Sequence, residues 1–353
     1  MKIVIIVIGL LGVIGTVIPL SKSDHWSVRM FDFPCAQIAI LLIISLAGGV
    51  YFKQYQSIYT KLFTLAVLAA LIYQGFIIYP YTFLAKPQVL DSTSQDDANT
   101  ISLLTTNVLI SNRDYTRLLK IIRQSDPDIV LLLEPDQWWQ KKMEGLKTDY
   151  PFFVEQPQDN AYGMLLYSKK NLKNPTINFL VADDIPSIHT YVKLASGQSV
   201  QLYCIHPTPP SPTENDESTE RDAELMIVGK KVAHDNLPTI VAGDLNDVAW
   251  SSSTRLFLKT SKLLDPRIGR GFYNTFHAKI FILRWPLDHF FHSNHFKLVD
   301  LKRLPKIGSD HFPIYTKLTF EPSATLQQKE PQATFEEKVE AQKQIEKVQK
   351  AQD

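Results

Sequence analysis

An α/β sandwich preceded by three membrane-spanning helices is the fold the sequence predicts, and three observations predict it. Short β-branched and leucine-rich stretches at 101–107, 129–134, 200–206 and 239–244 read as buried strands. Stretches with helical spacing stand between them, an order that suits two sheets with helices outside. Ahead of this region come three long apolar runs, 3–20, 34–52 and 62–84.

Each run is near the ~20 apolar residues that a helix needs to cross a bilayer core, and charges stand only at its edges. One such run alone could be a buried core helix; three in succession with short connections read as spans. No A-x-A cleavage site follows the first, which argues against a signal peptide. Basic residues divide evenly, with Lys2, Lys53 and Lys61 on one side and Lys22, Arg29 and Lys86 on the other. The free amino terminus and the compact, lysine-flanked second loop tip the balance to an inside N-terminus. The expectation is therefore a multi-pass protein of the inner (cell) membrane, with its main domain on the outer, periplasmic side. Residues 1–85 form the anchor, 86–99 a polar linker and 100–320 the globular domain. Residues 321–353 are rich in Gln, Lys and Glu and are expected to be a disordered or loosely helical tail.

Within the domain, Asp114 caps a helix whose apolar face is Tyr115, Leu118, Leu119 and Ile122, ending before Pro127. Strands follow at 129–134, 162–168 and 191–194, and Gly197 turns the chain into 200–205. Residues 214–233 read as a helix with Leu225, Val228 and Val232 inward, and 312–318 as a last strand. The 37 basic and 36 acidic residues nearly cancel, so bulk charge points neither to nucleic acid nor to an acidic partner. Cys35 opens an apolar run and Cys204 lies in a strand, so no disulfide is expected between them.

Polar residues end the apolar stretches: Asn107, Glu134, His206, Asp244 with Asn246, Asp288 after Trp285-Pro-Leu, and the Ser309-Asp310-His311 turn. Carboxylates, amides and imidazoles at strand ends converge on one sheet edge near water. That pattern predicts a hydrolytic site using a hard divalent cation. Asp244 and Asn246, two apart, point to the same side; an Asx turn is the plainer alternative. Glu134 beside Ile-Val-Leu-Leu-Leu is costly to bury unless paired or metal-bound, though it could equally begin the next helix from the surface. Asn107 alone reads as a turn residue, and His206, before Pro-Thr-Pro-Pro, as a fixed strand end or a packed histidine. An Asp beside an imidazole fixes its tautomer and stabilises its charged form.

Together and in this order, these residues resemble the endonuclease/exonuclease/phosphatase superfamily, the deoxyribonuclease-I-like fold, over 101–318. The similarity is greatest to bacterial membrane-anchored members. It implies a four-layer α/β/β/α sandwich in which Asn107 and Glu134 hold Mg²⁺ or Mn²⁺, with Asp310 a further carboxylate near the metal. It also implies that His206 and Asn246 contact the scissile phosphate and that Asp244 positions or deprotonates water. His311, oriented by Asp288, would be the second acid/base. The implied activity is hydrolysis of a phosphodiester or phosphomonoester, in a lipid head group or nucleic acid; the other class is a non-catalytic membrane-tethered binding module. The partners expected are that phosphoester and the membrane, with no obligate protein partner evident. His206 follows Ile205, where Thr or Asn is common in the family, and Tyr162 precedes the Gly of the family's central strand. His292 and His295 have H-x-x-H spacing, but nothing completes a zinc set. Trp138 and Trp139 read as packing residues. Arg267, Arg270, Lys279 and Arg284 form either an anion grip or a solvated basic face.

Overall fold

The computed structural model describes residues 2–52, 56–94 and 96–352; Lys53, counted above toward orientation, lies outside the described residues. The amino-terminal region holds α1 (Lys2–Val17), α2 (Trp26–Arg29), α3 (Cys35–Tyr51) and α4 (Ile58–Ile78). Two helices, Lys2–Ser21 and Ile58–Tyr81, are long and apolar enough to cross a membrane. A third crossing is added if Trp26–Asp32 and Cys35–Tyr51, bent by 71°, count as one span. The small buried face of α1, Gly9, Gly12 and Gly15, lets α3 approach closely, and Gln74 donates to Thr16 at 3.0 Å inside the bundle. Leu65, Ile72 and Phe76 turn outward, leaving an apolar surface suited to lipid.

The domain follows as β1 (Thr100–Asn107), α5 (Tyr115–Ser125), β2 (Ile129–Leu133), α6 (Gln137–Met143), β3 (Phe152–Gln156) and β4 (Met164–Ser168). Next come β5 (Leu172–Phe179), β6 (Pro186–Lys193), β7 (Ser199–Ile205), α7 (Thr219–Asp235), β8 (Thr239–Asp244) and α8 (Ser252–Ser261). The chain closes with β9 (Asp288–His292), β10 (Phe296–Arg303), β11 (Ile314–Phe320) and α9 (Phe335–Gln352). One sheet runs β10-β11-β1-β2-β4-β3 and the other β5-β6-β7-β8-β9. Strand alternation sorts the side chains into layers. Leu103, Leu131 and Leu133 meet Leu202, Cys204 and Ala242 between the sheets. Leu104, Val130 and Leu132 turn out against Leu118, Ile122 and Trp139, while Tyr203, Ile205 and Val241 pack on Leu225, Val228 and Phe257. The four-layer sandwich is therefore the observed fold. Cys35 and Cys204 are free thiols, both buried, and Asp114 caps α5 by accepting from the Arg117 amide.

Three features differ from the sequence reading. The sequence does not mark β3, β5, β9 and β10, nor α6 and α8; the exposed middle of β5, Lys173 to Thr176, shows why an apolar pattern could not mark it. α7 starts at Thr219 rather than 214, because residues 216–218 bond the loop between α1 and α3. The Trp26 amide donates to Asp216 O, and Ser218 to Asp24 O, both at 2.8 Å. Where a loose tail was expected, α9 docks on the α7–α8 layer through Ala341, Ile345 and Val348, one apolar residue per turn, and Glu337 of α9 pairs with Lys259 of α8.

The amino-terminal helices and the domain are joined by buried charge. Arg29 is 6% exposed and binds Asp24 at 2.8 Å, Ser252 at 2.8 Å and Asp222 at 3.5 Å. The Trp250 indole donates to Asp32 O at 2.7 Å, and Tyr81 to Ala249 O at 2.7 Å.

Glu224 of α7 is a less comfortable charge. Its Oε1 is buried without a hydrogen-bond partner, and burial, aided by Glu220, pushes its carboxyl up to about 8. A raised folded-state value means that the stability tied to the proton is complete below the unfolded carboxyl range. It is lost as pH rises toward about 8. Glu224→Gln is expected to melt at a higher temperature than the parent at pH 8 and to converge with it near pH 4.5, the ordinary carboxyl value. Parallel melting curves across that range would show that Glu224 is not held protonated.

Candidate active site

Parallel pairing sets the ends of β1 and β2 side by side, and likewise those of β7 and β8. β9 runs antiparallel to β8, so its first residue, Asp288, stands opposite Asp244. Asp288 thus opens a strand rather than ending one, and the reversed direction brings it to the same edge. Two glycines permit the close approaches there. Gly243 has φ +150°, and a Cβ on it would lie 1.8 Å from Ile205 O, beside His206 and Asp244. A Cβ on Gly163 would lie 2.0 Å from Pro135 O; its carbonyl accepts the Glu134 amide at 3.0 Å. That bond helps hold Glu134 at φ 61°, a conformation costly for Glu and frequent at functional sites.

On the first sheet, Asn107 Nδ2 donates to Glu134 Oε1 at 2.6 Å and lies 3.4 Å from Asp244 Oδ2. Burial pushes the Glu134 carboxyl up to about 7, against the Asn107 bond that favours its charged form. On the second sheet, Asp244 Oδ2 sits between two imidazoles, 3.5 Å from His311 Nε2 and 4.0 Å from His206 Nε2. His311 Nδ1 lies 2.8 Å from Asp288 Oδ2. The two rings hold opposite charge states. Burial lowers His206 to about 4, so it is neutral. Burial also works against His311, yet the Asp288 and Asp244 carboxylates outweigh it and raise the ring to about 10. His206 Nδ1 is buried without a partner, while Ile205 packs outward on Leu225 and Val228. Its ring lies 5.2 Å from that of Tyr162, whose phenol donates to Glu214.

Asp244, Asp288 and His311 offer ligand atoms within 4.8 Å of one another. An imidazole protonated between two carboxylates has no lone pair for a cation. The Asn107–Glu134 side, with Asp244, is the better oxygen set. Asn246, at φ 50°, takes its backbone amide to Asp244 Oδ1 and its side chain to Pro207 O, both at 2.9 Å. Asp310 stands at the margin: its carboxylate accepts from Ser309 at 3.3 Å, and no described contact joins it to Glu134. Seven of the eight predicted residues are therefore linked by direct contacts around Asp244.

Three residues support the site in roles the sequence did not show. Thr275 Oγ1 accepts the Asp288 amide at 3.1 Å, Ser309 Oγ donates to Asn107 O at 2.8 Å, and buried Arg221 donates to Asn246 O at 3.0 Å. None carries a local signal; only the Ser309 motif position hinted at one. Several of the other candidates are structural. Arg267 is buried against Asp265 and His289, and Arg270 binds Asp91. Trp139 is fully buried. His292 and His295 each bond Ser293, and among the described residues neither joins a group of three ligands.

The chain is similar to several proteins of known structure. One is an endonuclease/exonuclease/phosphatase from Beutenbergia cavernae, at 15% identity and TM-score 0.52 over 63% of this chain and 72% of that one. D. rerio TDP2 complexed with single strand DNA product matches at 19% and 0.51, over 62% and 99%. The human Nocturnin catalytic domain with bound sulfate anion matches at 17% and 0.51, over 68% and 99%. These likenesses bear on fold alone. Among curated proteins none matches. The family model of the Endonuclease/Exonuclease/phosphatase family matches residues 104–311, more than half of the chain and the whole span from β1 to the Asp310-His311 turn, and the chain belongs to that family.

Proposed function

We propose that this protein is a membrane-anchored, divalent-cation-dependent phosphoesterase that hydrolyses a phosphodiester or phosphomonoester with activated water. The observation that carries the reading is the Asp288–His311–Asp244 array facing the Asn107–Glu134 pair across the sheet edge. The donor set fits a cation. Three buried or half-buried carboxylates, Glu134, Asp244 and Asp288, share one protonated imidazole, and Asp288 Oδ1 has no hydrogen-bond partner. Hard oxygen donors with residual negative charge suit Mg²⁺ or Mn²⁺, held by Glu134 and Asn107 with Asp310 nearby. Bound there, such an ion would polarise a phosphoryl oxygen and offset charge on the leaving oxygen.

The protein's own groups supply the rest. Asp244 accepts a hydrogen bond from the attacking water and takes its proton. Protonated His311, fixed by Asp288, donates from Nε2 to the phosphoryl group as negative charge builds. Neutral His206 and the Asn246 amide position phosphate oxygens. The contact of the α1–α3 loop with the domain also bears on topology. Loop and domain share one side of the membrane only if α3 crosses as well, which supports three spans. An inside N-terminus then puts the site on the outer face of the cell membrane.

The test uses full-length protein in detergent and bis(p-nitrophenyl) phosphate. Chelation is expected to abolish turnover, and added Mg²⁺ or Mn²⁺ to restore it. Glu134→Gln should raise the half-saturating cation concentration by about tenfold or more, the range seen when a ligand's support is lost. An unchanged titration would remove Glu134 from the cation site. Cation binding without turnover of chromogenic, lipid or nucleic-acid esters would favour the non-catalytic module.

A further inference from the structure

The segment between α8 and β9 runs from the candidate site to the membrane helices. At the site, Phe276 forms a backbone bridge with His311, their rings 5.0 Å apart, and the Ala278 amide donates to Asp310 O. Four residues later the segment exposes Ile280, Phe281, Ile282 and Leu283 in succession, with Phe281 77% and Ile282 69% exposed. Gln37, in the first turn of α3, donates to Ile282 O at 2.8 Å. The apolar tip is therefore fastened to the domain-side end of an apolar membrane helix, at the depth where a bilayer surface would meet it. Beside the tip lies a cleft of about 390 Å³, walled by Ile40 of α3 and by Trp250, Phe272 and Trp285.

Arg284 and Arg303 line the same cleft. Their guanidinium groups stand 5.0 and 4.3 Å from the ring of Phe312, the residue after His311. Their hydrogen bonds go to backbone carbonyls, Arg284 to Ala278 O and Arg303 to Asn274 O, so their charge stays available to an anion. An amphipathic cleft with an apolar wall on a membrane helix and two cations toward the site matches one kind of molecule.

We propose that this cleft seats a phospholipid of the adjoining leaflet, and that the phosphoester hydrolysed here belongs to a membrane lipid. The proposal rests on the phosphoesterase reading above and names its substrate class. The lipid's apolar body lies against Ile40, Trp250 and Trp285, and its phosphate meets Arg284 and Arg303 on the way to His311. Nucleic acid fits less well, because strand binding calls for an open basic groove with stacking rings, and here a membrane helix forms one wall. The chemistry is balanced hydrolysis. Water oxygen forms a bond to phosphorus, one ester P–O bond breaks with its electron pair on the departing oxygen, and the proton lost by water is returned to that oxygen.

The test reconstitutes the full-length protein, with Mg²⁺ or Mn²⁺, into vesicles. These combine phosphatidylcholine, phosphatidylethanolamine, phosphatidylglycerol, cardiolipin and phosphatidic acid. Lipid products are followed by mass spectrometry beside hydrolysis of bis(p-nitrophenyl) phosphate and of a single-stranded oligonucleotide. Lipid turnover is expected, and the double variant Phe281→Ser, Ile282→Ser should lower the ratio of lipid to chromogen turnover about tenfold or more, as loss of two apolar side chains dipping into the bilayer would. Both replaced residues are exposed, so the fold should survive. Chromogen or oligonucleotide hydrolysis with the vesicle lipids intact would overturn the lipid assignment and leave the phosphoesterase standing. A ratio unmoved by the double variant would overturn the cleft's role. No hydrolysis of any ester would overturn both.

Discussion

Asp244→Asn in the full-length protein is expected to cut turnover of a soluble phosphodiester by about 10²–10⁴-fold, the usual contribution of a positioned general base. The amide keeps the side chain's shape and its backbone bond from Asn246, but it takes no proton from water and places a donor near two imidazoles. His311→Ala should cost a similar factor, because the proton held between Asp244 and Asp288 is lost with the ring. The two act as one unit. The double variant should then be little slower than either alone rather than showing the product of both losses. Additive losses would mean that Asp244 and His311 serve separate steps. Activity within about twofold of the parent in either single variant, far short of a general base's contribution, would remove that residue from the chemistry.

Arg29→Met should have the largest effect on stability. Arg29 is the anchor's contribution to a buried charge cluster in which Asp222 also accepts from Ser218, Ser253 and Arg221. Removing one partner of a buried pair typically costs about 3–5 kcal/mol; the remaining donors to Asp222 place this case toward the lower end. The damage should extend to activity, since Arg221 bonds both Asp222 and the Asn246 carbonyl. Thermal unfolding in detergent, read beside the Michaelis constant, checks both parts. A melting temperature unaltered by Arg29→Met would show that the cluster adds nothing to cohesion, and restoration by Arg29→Lys would show that charge alone suffices.

The central strands were legible because they are buried on both faces: Leu103-Leu104 and Ile129 to Leu133 are apolar without interruption. The edge strands were not. β5 and β10 alternate weakly and face water, and sheet pairing rather than local pattern determines them. Asn107, Glu134, His206 and Asp244 were legible as polar ends to apolar runs. Asp288 was legible as the polar end of Trp285-Pro-Leu, but not as the residue that opens β9. Arg29 was hidden because its partner Asp222 lies 193 residues along the chain, and Arg221 and Thr275 because their bonds to Asn246 and Asp288 cross between elements and leave no local pattern. α9 was misjudged because its contact face needs only one apolar residue per turn.

In the proposed three-span arrangement, the buried Arg29 couples the crossing of the helices to closure of the domain. A chain in which α3 failed to cross would strand this guanidinium across the lipid from Asp222. Its late-synthesised portion would then close around an acid deprived of that counterion, leaving an unpaired buried charge. The third crossing and the folding of the domain would thereby stand or fall together.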